Sequence, residues 1–578
     1  MASHPSIIEA ERPPPTSVDA NTPKEATPLT VTALIVSAIA VFSYYFFLFR
    51  YSYNFPYFDD FEVILDFLNR FLTTGQGSEK LRLLFEQHGE HRLVFDRVVA
   101  LVECYLFGQV EFRSLILIGS TALAVILVLF CKTARRDAKL SPLHLAPVAL
   151  LLFNFRYFEA SFWPMAALQN LWVLCFAFLA FYFLFQRNSS SVYVAAAFGL
   201  MATFTSANGM VTFAAGALVL ALNRQLLTRK SLIWGAAGFV AILSYLHGYE
   251  KPGQHPEVLR PLLENPAGFV GYVLAFLGSV FTQNVIAAVA IGSAFVGFAG
   301  YLTLRRYFAR DPICYALIVF LLVTGALAGF SRFGFGMEQA LASRYAIVST
   351  LLAVSCYVAL MSLVQHRSKT VYGIAILIAS LAFHYSTYAT YLPGKKAEKA
   401  EFEKFRDQIS QGRLSRFNFG WPPLDIRREF PRHVLRTADS LGYFSFKFRD
   451  EAEIIGSLPS NSERQSVHRF DRFEQKGPVV VMLAGWALIK GIPSEDVIPV
   501  LCFKDEKNHP AKYIVPSGVR RNDVAQQYEG DGVNYLMSGF ETMFNANEIK
   551  PGKYRLVLVL VAPDFKIEID AGPTRLGQ

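Results

Sequence analysis

Runs of about twenty apolar residues dominate this chain, beginning with LTVTALIVSAIAVFSYYFFLF at 29–49, and they constrain its fold more than any motif. A bilayer's hydrocarbon core takes roughly 20 such residues per helix, because each backbone N–H and C=O inside it must be satisfied within the segment. The 578 residues are 53% hydrophobic and 17% charged, with mean hydropathy +0.32, which is too little polar surface for a soluble protein of this size. The pattern predicts membrane helices near 29–49, 115–131, 143–155, 166–185, 192–205, 210–222, 232–246, 285–304, 313–329, 346–364 and 370–387. The expected fold class is therefore an α-helical polytopic membrane protein of about 11 transmembrane helices.

Charge orients this map. The links CKTARRDAK, NRQLLTRK, LRRYFARD and QHRSK carry most of the basic residues and face the cytoplasm by the positive-inside rule. All four fall on one side if the first helix runs outward. The formal charge of +9 thus reflects topology and does not call for nucleic acid. Counting NPAGFVGYVLAFLGSVF (265–281) as a crossing would put Arg305 and Arg306 outside, so a re-entrant or interfacial helix is expected there.

The outer pieces are then 50–114, 156–165, 247–265, 330–345 and everything after about 390. Residues 1–28 are Pro-rich and polar, lack a secretory signal pattern, and are expected to be a disordered cytoplasmic tail. Residues 29–392 form the membrane domain and 393–474 a charged linker, in which KKAEKAEFEKFRDQISQGRLSRF suits a helix lying on the membrane surface. From 475 to 578, short β-rich runs separated by turns predict a small antiparallel β-sandwich outside the membrane. The six cysteines show neither metal-site spacing nor a disulfide framework.

Candidate chemistry collects in the outer links. Asp59 and Asp60, in NFPYFDDFEVILDF, suit a helix cap with Phe61, Ile64, Leu65 and Leu68 on one buried face. They equally suit a base that takes a proton from an alcohol. FEQHGEHRLVFDRVV brings His88, Glu90, His91, Arg92, Asp96 and Arg97; a metal held by His88, Glu90 and His91 fits no standard zinc spacing, and packing of the loop accounts for them as well. Arg156, Tyr157, Glu159, Trp163 and Gln169 lie in the next outer link, Asn208 in another, then His247, Tyr249, Lys251 and His255. GFSRFGFGMEQALASRYAI adds Arg332, Glu338, Gln339, Arg344 and Tyr345. Its arginines either snorkel at helix ends or bind a phosphate bidentately. A transporter places polar groups near the bilayer midplane; here the helices are nearly free of charge, His384 being the main ionisable residue, and the polar groups lie at one outer face.

The multi-span body with an acidic motif directly after its first helix resembles the GT-C class of membrane glycosyltransferases. It is further similar to a bacterial branch carrying FDDF (Phe58–Phe61), EHR (Glu90–Arg92), ANG (Ala207–Gly209), HGY and HP (His247–Tyr249, His255–Pro256) and FG…QALASRY (Phe335–Tyr345), with GWALI, RRNDVAQQY and SGF in the β-rich end. The resemblance covers most of the chain. It implies a polyprenyl-phosphate-linked sugar as donor, a glycan or glycolipid acceptor in the cell envelope, and a multi-pass protein of the bacterial cytoplasmic membrane with its N-terminus inside. It also implies Asp59 as general base, with Asp60 orienting it or the acceptor, or the two in swapped roles. Arg332 and Arg344 then bind the donor phosphate, and Glu90, His91, Arg92, His247, Tyr249, His255, Gln339 and Tyr345 shape or border the cavity. No cofactor is required; a divalent metal serves some relatives. A flippase or transporter, a polymerase or ligase of lipid-linked glycans, and a glycan-binding module on a membrane anchor are the alternatives.

Overall fold

The computed structural model describes residues 28–137, 140–251, 260–411, 414, 429–446, 449, 451–476, 480–545 and 549–576. The tail expected over 1–28 lies outside them up to residue 27, as do His255 and much of the linker between 412 and 428.

Among the described residues, seven helices are long and apolar enough to cross a membrane: Pro28–Tyr51, Phe112–Arg136, Pro164–Leu184, Val285–Leu304, Pro312–Phe335, Ser343–Leu363 and Ser368–Ser410. Shorter apolar helices span Pro142–Leu152, Ser191–Thr203, Ala207–Leu222 and Pro266–Phe281. Arg229–Leu246 is a further 18-residue helix whose Leu232, Phe239, Val240, Leu243 and Leu246 face outward. Exposed apolar side chains on Leu34, Ile39, Phe42 and Phe49 likewise mark the first helix as one facing lipid. The segment at 265–281 divides into a 13-residue helix, Pro266–Gly278, and a 3₁₀ turn, Ser279–Phe281. At 1.5 Å per residue that helix is about 20 Å long, short of the roughly 30 Å hydrocarbon core. It meets Val285–Leu304 at closest quarters through Gly278 and Gly292, where an added Cβ would fall 2.0 Å from the Ala288 carbonyl or 1.9 Å from that of Leu274.

The last long helix corrects an expectation. The charged stretch after 395 does not start a separate surface helix: His366–Ser410 is one 45-residue helix that passes through Pro393. Its outer part packs on the first loop. Glu398 accepts a hydrogen bond from the Tyr53 hydroxyl at 2.9 Å, Lys399 donates to the Arg50 carbonyl at 2.8 Å, and Phe402 stacks on Tyr53 with ring centroids 4.4 Å apart. Helix Glu429–Ser440 completes this layer: Asn69 donates to the Val434 carbonyl at 3.0 Å, and the Tyr443 hydroxyl donates to the Leu65 carbonyl at 2.9 Å. The resulting apolar cluster joins Phe55, Phe61, Ile64, Leu65, Leu68, Phe402, Phe405, Val434 and Leu435 and is distinct from the core of the helical bundle.

The C-terminal region is β-rich. Strands β1 (Ser466–Lys476), β2 (Val480–Ile489), β3 (Ile498–Lys504), β4 (Pro510–Ile514), β5 (Ser517–Val519), β6 (Gly539–Asn545), β7 (Gly552–Val561) and β8 (Lys566–Leu576) form two antiparallel sheets, ordered β1-β2-β6-β5 and β4-β3-β7-β8. The alternation of β2 and β7 sends Val481, Leu483, Leu556, Leu558 and Leu560 into one apolar cluster that draws from both sheets. Trp486 lies on the other face of its sheet, buried with Tyr535 and Val524 and 6.2 Å from the Tyr528 ring.

Candidate functional site

After the first helix ends at Tyr51, the chain turns through 52–60, and this turn treats its two acids oppositely. Phe58 is left-handed, at φ 49°, a conformation costing a bulky residue on the order of 1–3 kcal/mol. Its ring is held 4.9 Å from Tyr57 and 5.5 Å from Trp163. Asp60 is fully buried; its Oδ2 accepts the Tyr57 amide at 2.8 Å and its Oδ1 the Met165 amide at 3.0 Å. Burial pushes the Asp60 carboxyl well above its usual range; the two amides oppose this and Asp59 adds to it. The expected side-chain cap is corrected here, since Asp60 reaches back to Tyr57 and makes no bond to the helix it precedes. That helix opens with a π turn, Phe61–Asp66, and buries Phe61, Ile64, Leu65 and Leu68 as the pattern requires.

Asp59 keeps its carboxylate in the open, 43% exposed. Its Oδ2 lies 3.8 Å from His88 Nε2, and the other ring nitrogen of His88, Nδ1, is 3.3 Å from Glu62 Oε2. His88 belongs to a tight turn, HGEH, in which His88 and His91 exchange amide-to-carbonyl bonds of 2.8 and 2.9 Å. Gly89 occupies the φ 55° position that the turn needs. The turn aims Glu90 at Arg332, with which it forms an ion pair. His91 Nδ1 accepts the Ala207 amide at 3.2 Å, tying the ANG segment to the same place, and its Nε2 faces Glu90 Oε1 at 3.6 Å.

Arg344 arrives from the other side. Its amide donates to Glu159 Oε2 at 3.1 Å, the same oxygen lies 3.9 Å from its Nη1, and its Cζ sits 5.1 Å above the Tyr345 ring. Asp59 and Glu159 both act on the Arg344 charge, and Tyr272 lies in the field of both Arg332 and Arg344. Burial raises the Tyr57 hydroxyl; Glu398 and Glu159 raise it further and Arg344 opposes them. The first loop, through Asp59, His88 and Glu90, therefore interacts with the segment that carries Arg332 and Arg344, and Arg344 in turn pairs with Glu159.

The remaining expected residues are placed less centrally. Arg92 is buried and spends its guanidinium on three backbone carbonyls, those of Tyr245 at 2.9 Å, Phe85 and His247. It pins the first loop to the 245–247 link instead of presenting charge. Arg92 and His247 line a cleft of about 750 Å³ beside that turn, with Arg82, Glu86, Gly89 and Lys251. Tyr249 stacks toward Tyr245, its ring 6.3 Å away, and feels Glu90. Gln339 is half-exposed on a 3₁₀ turn, Met337–Leu341. His255 lies outside the described residues. Among those described, no group of three His, Cys, Asp or Glu side chains is disposed to hold a metal, so the trio His88, Glu90 and His91 does not form one: the two histidines face different carboxylates.

Glu398 is the member of the cluster that motif reading does not select, because it sits among many like charges in the helix His366–Ser410. Glu159 is named with its link in the sequence, but its pairing with Arg344 comes only from the structure. No family profile, no curated protein and no solved structure matches this chain.

Proposed function

We propose that this protein transfers a sugar from a polyprenyl-phosphate donor to a hydroxyl of an envelope glycan or glycolipid, at the outer face of a bacterial cytoplasmic membrane. The observation that carries the reading is the open carboxylate of Asp59 in one cluster with Arg344 and Arg332, at the ends of apolar helices. A lipid-borne phosphate reaches that level from the bilayer and needs cations there, while the acceptor needs a base facing water.

Asp59 takes the proton as the acceptor oxygen attacks the anomeric carbon, and the bond to phosphate breaks with its electron pair on the leaving lipid phosphate. A positioned base of this kind contributes roughly 10²- to 10⁴-fold. One carboxylate suffices because phosphate leaves readily, unlike the paired acids of glycoside hydrolysis. Arg332 and Arg344 stabilise the charge that develops on phosphate, displacing their present partners Glu90 and Glu159. Asp60 holds the turn instead of touching substrate, which favours Asp59 as base over the swapped order. The body is read as a GT-C-like bundle of about 11 spans with the N-terminus inside, and the two C-terminal sheets as a β-sandwich outside.

The test uses the full chain in lipid nanodiscs with undecaprenyl-phosphate-linked glucose, mannose, galactose and arabinose, and mass spectrometry of released lipid phosphate and glycosylated acceptor. Transfer from at least one donor, lost in Asp59→Asn, is expected and persists in EDTA. Equal rates for wild type and Asp59→Asn contradict the assignment.

A further inference from the structure

His88 is the one side chain that stands between two carboxylates of the first loop with a ring nitrogen toward each. Nε2 is 3.8 Å from Asp59 Oδ2 and Nδ1 is 3.3 Å from Glu62 Oε2. His88 sits in a tight turn. Its backbone is locked by the paired bonds to His91, with Gly89 in the left-handed region. Its side chain is 21% exposed, whereas Glu62 is 58% exposed and opens to water. Asp59, His88 and Glu62 therefore form a line from the cluster of arginines to solvent.

We propose that His88 is a positioning residue that orients Asp59 and carries its proton away to Glu62 and solvent between turnovers. This rests on the glycosyl-transfer reading. Each transfer leaves one proton on Asp59, since the acceptor O–H has been broken and the electron pair of the sugar–phosphate bond departs with phosphate. The base must be freed before the next acceptor binds. In this relay the neutral ring carries its proton on Nδ1, toward the nearer carboxylate, Glu62, and keeps the Nε2 lone pair toward Asp59. Nε2 then takes the Asp59 proton as Nδ1 gives up its own toward Glu62, Glu62 loses it to water, and exchange of the Nε2 proton with water returns the ring to the Nδ1–H form for the next turnover. Asp66 also acts on Glu62, and Arg344 on Asp59.

Two measurements test this in the full chain in nanodiscs. In steady-state transfer from the undecaprenyl-phosphate sugar that the wild type uses, His88→Gln lowers kcat about 10- to 100-fold with donor KM unchanged. Imidazole partly restores kcat to His88→Ala. Separately, ¹⁵N spectra of histidine-labelled protein, assigned by loss of the signal in His88→Gln, show the Nδ1–H tautomer in the wild type and the Nε2–H tautomer in Glu62→Gln. Wild-type kcat in His88→Gln, or an Nδ1–H tautomer that persists in Glu62→Gln, overturns the relay. A wild type inert toward every donor overturns the glycosyl-transfer reading instead, and the tautomer still decides whether the ring is held between the two acids.

Discussion

Asp59 and Asp60 are adjacent, chemically identical, and given different tasks by a backbone amide 105 residues away. The Met165 N–H, with that of Tyr57, saturates Asp60 in a dry site, while Asp59 faces His88 and water. Asp60→Asn puts an NH₂ against one of these amide donors, and a buried donor left without an acceptor costs about 1–3 kcal/mol. Thermal unfolding in detergent should therefore show a lower Tm for Asp60→Asn and an unchanged one for Asp59→Asn, and the reverse order would undo the division of roles. Glu103 gives a pH test. It is buried on the helix Val94–Phe107, and burial pushes its carboxyl up to about 7, the Glu111 backbone opposing the rise and the Glu111 charge adding to it. The folded protein then binds a proton that the unfolded chain has lost, so stability falls as pH rises from about 4.5 through 7. Glu103→Gln should remove that decline, raising Tm at pH 8 while leaving pH 4 nearly unchanged; a Tm at pH 8 equal to that of the wild type would reject it. The paired acids were legible in the sequence as a pair. Which one is open was not, because the deciding amide lies in another link.

At the scale of elements, periodicity located the apolar helices but not their ends or continuations. The 45-residue helix His366–Ser410 crosses from an apolar to a charged composition without a break, and its outer part is fixed by Tyr53, Arg50 and Phe55 of the first loop. Composition alone suggested a new surface element there because the partners that hold it upright are about 345 residues away in sequence. The HGEH turn was similarly ambiguous: its residue types suggested a metal although their spacing fits no standard zinc signature, and only the direction of each ring, His88 to Asp59 and His91 to Ala207, separates the two histidines. Close approach of Pro266–Gly278 to Val285–Leu304 depends on Gly292, whose neighbours are backbone atoms that cannot swing aside. Gly292→Ala should separate the two helices and lower Tm by several degrees, whereas Gly297→Ala, facing open space, should not; equal Tm values for the two would show that the contact is not made.

At the scale of the whole molecule, the described residues form a bundle with seven helices long enough to cross a membrane, a layer built from the first loop with residues 398–411 and 429–446, and a β-rich end. The basic links between apolar runs supply the proposed orientation, and the residues around Asp59 come from links that this charge map assigns to one side. The central claim is that Asp59 and Arg344 share one pocket on the side of the membrane opposite Arg135 and Arg136. Single cysteines at 59, 344 and 136, in a background with the six native cysteines replaced, can be labelled with a membrane-impermeant maleimide in intact spheroplasts. Positions 59 and 344 should label in intact spheroplasts, and 136 should label only after lysis. Labelling of 136 in intact spheroplasts, or of 59 and 344 from opposite sides, would contradict the account.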